Sequence, residues 1–107
     1  MRRGRLMPLY CFYCQDGEHA PRMRERLLAE HLAHIEAHID DYAVAGPLKR
    51  GDETIGSLLV IKADDEAEAR AKFEADPYFD AGVWQSIRTS EFLGVAGDWV
   101  DGAAWKK

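Results

Sequence analysis

Asp76-Pro77-Tyr78-Phe79-Asp80-Ala81-Gly82-Val83-Trp84 lies between a charged, Ala-rich segment and an apolar one, and its reading decides the fold. Proline lacks an amide hydrogen and clashes with the preceding turn, so a helix cannot run through Pro77. Pro suits the first position of a helix, and Asp is favoured just before it. Asp76-Pro77 therefore reads as the cap and start of a new short helix. Gly82 ends that helix, and a strand opens at Val83-Trp84. The junction also holds one carboxylate, Asp76, at a defined point of the backbone.

The chain has 107 residues, 47% of them apolar and 31% charged. That is enough for one domain with a modest core, and it is the composition of a folded protein. A formal net charge of −5 argues against nucleic acid as the main partner, because phosphate binding needs a basic face. No apolar run approaches the roughly 20 residues needed to cross a bilayer. Met1 to Pro8 is basic but lacks the apolar middle of a secretory signal. The expectation is a cytoplasmic protein with no membrane partner. Residues 1–107 read as a single domain, with a folded core at about 8–94, an N-terminal extension at 1–7 and a C-terminal tail at 95–107.

Outward from the junction, the pattern is regular. Leu9 to Cys14 is a strand, apolar on both faces. Gln15 to Pro21 is a loop with Asp16-Gly17 as its turn signal. A helix follows from about Arg22 to Asp41, with Leu28, Leu32, Ile35 and Ile39 at helical spacing as its expected buried stripe. Tyr42 to Leu48 is a second strand, ended by Gly46-Pro47, and Lys49 to Thr54 is a polar turn. Ile55 to Ala63 is a third strand, with Leu58-Leu59-Val60-Ile61 apolar without alternation. Asp64 or Asp65 caps a second helix, with Glu68 placed for a capping box and with Ala69 and Phe73 on its buried side. Val83 to Leu93 is the fourth strand. Gly94 to Lys107 carries no assignable pattern. The order β-α-β-β-α-β is the ferredoxin-like α+β arrangement, a four-stranded antiparallel sheet with two helices on one face. Strands one and three are nevertheless apolar on both faces, which calls for a second cover. A second copy of the chain is the economical one, giving a homodimer with its sheets face to face.

Cys11 and Cys14 are spaced as C-x-x-C, a pattern that can mark a redox or metal site. On a strand, however, residues three apart point to opposite faces and lie about 10 Å apart. A disulfide needs Cα atoms within about 7 Å. Both are expected to be buried apolar residues. His31, His34 and His38 share one side of the first helix. His31 falls at the edge of the buried face, His34 faces solvent and His38 lies between. The i, i+4 pair His34 and His38 could hold a metal, but no further ligand is evident and no metal is expected. His31 is either a boundary histidine bonded to backbone or an acid/base, since its pKa lies near neutrality. Asp76 is either a helix cap alone or a cap whose second oxygen is free for chemistry. Glu66, Glu68 and Glu74 read as a solvated helix face, and so do Arg22, Arg24 and Arg26. There is no phosphate loop, nucleophile elbow or nucleotide fingerprint, so no cofactor is expected.

The run Glu30-His31-Leu32, then Ala45-Gly46-Pro47-Leu48, then Asp76-Pro77-Tyr78 and Ala81-Gly82-Val83-Trp84, resembles the YciI-like (YCII-related domain) family, over about Leu9 to Leu93. The basic start and the Trp-containing tail are additions to that pattern. The resemblance implies a ferredoxin-like fold of the dimeric α+β barrel kind. It also implies a pocket with a paired His and Asp, which map onto His31 and Asp76. One branch of the family eliminates HCl from a chlorinated hydroxyquinol, and related barrels include muconolactone isomerases and cofactor-free monooxygenases. The leading reading is an enzyme that moves protons on a small organic substrate, by lyase or isomerase chemistry. His31 would be the acid/base and Asp76 would orient it, with Tyr10, Tyr13, Tyr78 and Trp84 as substrate-binding walls. The alternative is a non-catalytic small-molecule-binding or interaction module of the same fold.

Overall fold

The structure, a computed structural model, describes residues 7–106. The elements follow one another as β1 (Leu9–Asp16), α1 (Ala20–Ala37), β2 (Tyr42–Arg50), β3 (Glu53–Lys62), α2 (Glu66–Glu74), α3 (Pro77–Asp80) and β4 (Trp84–Phe92). A one-turn 3-10 segment, Ile39–Asp41, joins α1 to β2. The main sheet has the order β2-β3-β1-β4, and every neighbouring pair is antiparallel. This is the ferredoxin-like α+β fold, with α3 inserted before the last strand. The tail adds a two-stranded ribbon of β5 (Ala96–Gly97) and β6 (Gly102–Ala103). Of the expected extension at 1–7, only Met7 lies within the described residues.

The elements depart from their expected bounds for local reasons. Helix α1 starts at Ala20 rather than Arg22, because Pro21 sits in its first turn, where the missing N–H costs nothing. It ends at Ala37, and the 3-10 turn takes up what remains of the expected helix. Strand β2 runs through Gly46-Pro47 to Arg50 instead of ending there. It is an edge strand, and one side of an edge has no ladder for a proline to break. Arg50 pairs with Glu53 across the two-residue turn Gly51-Asp52, and Gly51 supplies the φ of +60° that this turn requires.

Alternation along β1 decides the layers. Tyr10, Phe12 and Cys14 are buried under the helices, whereas Tyr13 on the other face is 51% exposed. Cys11 and Cys14 accordingly fall on opposite faces, both as free thiols; Cys14 is buried, but Cys11, on the open face, is only half-buried rather than buried as expected. Burial pushes the Cys14 thiol up to about 12. On the helix side, Phe12, Leu59, Ile61, Ala69, Phe73 and Val83 close one apolar core. Phe73 is its centre: it stacks on Phe12 at 4.3 Å and on Trp84 at 5.4 Å between ring centroids. The cap of α2 is the expected one, since Asp65 accepts from the Glu68 amide at 2.8 Å and Glu68 accepts from the Asp64 amide at 2.6 Å.

The expected buried stripe of α1 is where the reading fails. Leu28, Leu32 and Ile39 are exposed, and the residues that pack against the core are Ala20, Met23 and Leu27. The helix is turned by about one residue, or 100°, from the orientation its leucines suggest. Two polar anchors hold it there, and they make up the site described next.

Truncating Phe73 to Ala should cost about 3–5 kcal/mol of unfolding free energy, read by urea denaturation. A loss below about 1 kcal/mol would show that the core is not centred on this ring.

Candidate functional site

Asp76 is the N-cap of α3, in extended conformation with its side chain accepting from the Tyr78 amide at 2.9 Å. The same oxygen, Oδ1, lies 2.9 Å from His31 Nδ1. Asp76 has no exposed surface. An ionised carboxylate can only accept, so Nδ1 of His31 carries the hydrogen and Nε2 is left as the free ring nitrogen. His31 keeps 18% of its side chain exposed. Its ring lies flat on Tyr78, with centroids 3.9 Å apart and planes 2° from parallel. Tyr78 is itself buried, and its hydroxyl donates to the Arg24 carbonyl at 3.0 Å. Asp76 and Tyr78 thus hold the imidazole in orientation and tautomer.

The second anchor of α1 is Arg24, which the helix pattern alone places with Arg22 and Arg26 on a solvated face. It is not solvated. Nε and Nη2 fork onto the two oxygens of Asp16 at 2.9 and 2.8 Å. Nη2 also donates to the Gly56 carbonyl at 3.1 Å and to Ser57 Oγ at 2.9 Å. The guanidinium sits 5.4 Å from the centre of the Tyr78 ring. Arg24 precedes His31 by seven residues, two helical turns, and so shares its face. That spacing was the available signal, and the apolar stripe overrode it.

His31, Arg24 and Ser57 line a cavity of about 180 Å³ between α1 and the β2–β3 hairpin, whose other walls include Leu32, Ile35 and Pro47. Larger cavities of about 510 and 590 Å³ lie elsewhere and touch neither His31 nor Asp76. The aromatic residues expected as walls are scattered. Tyr78 backs the imidazole. Trp84 is buried edge-on to Tyr78 at 6.1 Å. Tyr10 is in the core, and Tyr13 lies on the opposite face of the sheet and lines the 510 Å³ cavity. None of the four lines the His31 cavity.

His34 does not face solvent as expected, because its Nε2 is buried and without a partner among the described residues. Desolvation pushes its pKa down, against the opposing pull of Asp76. His38 Nδ1 donates to the His34 carbonyl at 2.8 Å. Among the described residues no three histidine, cysteine or acidic side chains converge as a metal set.

The model of the YCII-related domain family matches residues 8–93. Protein YciI of Escherichia coli O6:H1 and that of Shigella flexneri are each 28% identical over 96 residues, spanning 81% of this chain and 98% of their own. Among solved structures, the 5-chloro-2-hydroxyhydroquinone dehydrochlorinase of Burkholderia phenoliruptrix, in complex with 2,5-dihydroxybenzoquinone, matches with a TM-score of 0.71. The identity is 24%, over 84% of this chain and 96% of that one. That likeness is one of fold.

A histidine held neutral by burial favours folding above its ordinary pKa of about 6.5, and that contribution is lost as pH falls through the lowered folded value. Of the charged groups around His34, Asp76 opposes the lowering, and His38 and His31 add to it. Unfolding free energy should therefore fall between about pH 7.5 and 5.5, and His34→Gln should flatten that fall. Denaturation series at the two pH values check it; an unchanged slope would show that His34 is solvated.

Proposed function

This chain belongs to the YCII-related domain family, and from that premise we propose that it is an enzyme of proton transfer on a small organic molecule. His31 is the acid/base and Asp76 its orienting carboxylate. The observation that carries this reading is the 2.9 Å contact between His31 Nδ1 and the wholly buried Asp76, which frees Nε2 beside a cavity. Nε2 takes a proton from the substrate, and Asp76 stabilises the imidazolium that forms. Departure of an anionic leaving group from the substrate completes an elimination, and return of the proton to another atom completes an isomerisation. Both are redox-neutral. The cavity of about 180 Å³ is below the roughly 300–1,000 Å³ of sites for drug-sized ligands, which supports a compact substrate. The dehydrochlorinase with the matching fold is named for one reaction of this type.

We also infer a homodimer through the open sheet face. Leu9, Cys11, Tyr13, Leu58 and Val60 alternate onto that face, and Tyr13 and Phe92 there are half exposed. Sedimentation should give twice the chain mass of 12.1 kDa, and a stable monomer would overturn the pairing.

The activity is tested by chloride release from 5-chloro-2-hydroxyhydroquinone and by proton–deuterium exchange on small enolisable rings. His31→Ala should abolish either signal. Asp76→Asn keeps an N-cap but loses the charge, so turnover should drop about 10²–10⁴-fold, the range for a disabled acid/base, with a small stability change. Activity that survives His31→Ala would remove His31 from the reaction. Long-range nitrogen NMR checks the pairing without substrate: His31 should be the Nδ1–H tautomer, and Asp76→Asn should mix the two.

A further inference from the structure

We propose that His34 and Tyr42 are positioning residues of the His31–Asp76 pair, holding the second oxygen of Asp76 through one bound water. The catalytic consequence rests on the proposed role of His31; the bridge itself does not.

A carboxylate is an acceptor at both oxygens, and Asp76 uses them unequally. Oδ1 takes two hydrogen bonds, from the Tyr78 amide and from His31 Nδ1, each at 2.9 Å. Oδ2 is buried and takes none among the described residues. A buried polar atom left alone is costly, so that oxygen calls for a donor. His34 follows His31 by three residues on α1, nearly one turn, and its Nε2 is buried without a partner as well. Of the charged groups that act on His34, Asp76 acts most strongly. The Tyr42 hydroxyl also makes no hydrogen bond among the described residues. Burial, and then the charge of Asp76 ahead of that of Asp41, pushes it up to about 12.

His34 and Tyr42 line a cavity of about 250 Å³ against α2, which shares no wall residue with the cavity that His31 lines. Its other polar groups are committed. Lys72 Nζ donates to Asp41 at 3.1 Å and to the Lys62 carbonyl at 2.8 Å. His38 Nδ1 donates to the His34 carbonyl. The His34 imidazole and the Tyr42 hydroxyl are left to serve Asp76 from this side. His34 and Asp76 do not bond each other directly, and a water joins them. It donates one hydrogen to Oδ2 and the other to His34 Nε2, and its oxygen accepts from Tyr42. Three bonds are the usual complement of a buried water. His34 is then neutral with its hydrogen on Nδ1, and neutral is the form that burial favours. With both oxygens held, the carboxylate cannot turn, and His31 keeps one geometry. The competing donor for Oδ2 is Trp84 Nε1, the third buried polar atom without a partner among the described residues.

A crystal structure of the full chain near neutral pH tests the bridge directly. One ordered water should lie within hydrogen-bond distance of Asp76 Oδ2, His34 Nε2 and the Tyr42 hydroxyl. A dry gap, a direct His34–Asp76 bond, or a bond from Trp84 Nε1 to Oδ2 overturns the proposal whatever the stability of the variants. Long-range nitrogen NMR should find His34 as the Nδ1–H tautomer; the Nε2–H tautomer overturns the bridge as drawn. His34→Leu and Tyr42→Phe should each move the His31 Nδ1–H proton downfield, because Oδ1 then carries more of the carboxylate charge. His34→Gln still offers the water an oxygen and should restore its position. A proton that stays put in either of the first two variants overturns the proposal. In turnover, His34→Leu should lower kcat roughly tenfold, the lower end for an outer partner of an oriented group, with KM little changed. Turnover indifferent to His34→Leu would overturn the positioning role. The water and the proton shift in a protein without turnover would defeat the enzyme reading and leave the bridge in place.

Discussion

The structure depends on one buried carboxylate. Asp76 is fully buried, and an unpaired charge there would cost many kcal/mol or be neutralised by a proton. Its Oδ1 avoids that by accepting from the Tyr78 amide and from His31. The first bond starts α3, which sets the direction of β4. The second fixes the rotation of α1, forty-five residues away in the chain. A group that caps one element and anchors another cannot be moved without disturbing both. It is also the reason the imidazole has a single tautomer. Placement of the helix and placement of the imidazole come from the same pair of contacts.

Most of the framework was legible in local patterns. Asp76-Pro77, Asp65 with Glu68, and the alternation of Leu9 to Cys14 are signals carried by neighbouring residues, and each has the predicted structure. Continuous pairing of β2 through Pro47 was not legible, because an edge position is a property of the finished sheet. The rotation of α1 was not legible either. Leu28, Leu32, Ile35 and Ile39 make a good apolar stripe. The contacts that defeat it join Arg24 to Ser57 and His31 to Asp76, and no short window contains both ends.

The candidate site divides in the same way. His31 and Asp76 could be named because each has a local reason to be constrained and a family pattern to connect them. Tyr10 and Tyr13 could not both face one cavity. An odd separation on a strand sends them to opposite faces, and only the choice of face was open. Nothing local singles out Arg24, because charged helix residues are usually solvated. Its partners are a β1 residue and a β3 backbone carbonyl, which only the sheet order β3-β1 brings together.

The misread stripe and the cavity are two sides of one choice. Leu32 is 53% exposed and is also a wall of the cavity that His31 lines. Turning α1 to bury Leu28 and Leu32 would gain up to about 1.5–3 kcal/mol for each side chain. It would also move Arg24 away from Asp16 and His31 away from Asp76. The observed orientation forgoes part of that burial. In exchange it makes charge-assisted bonds from Arg24 to Asp16, at roughly 1.5–3 kcal/mol each, and it removes the larger penalty of an unpaired Asp76. The observed orientation packs Met23 and Leu27 against the core in place of those leucines, and the polar anchors decide between the two. A helix held by an arginine and a histidine, with its leucines at the rim of a pocket, places the site among the determinants of the fold.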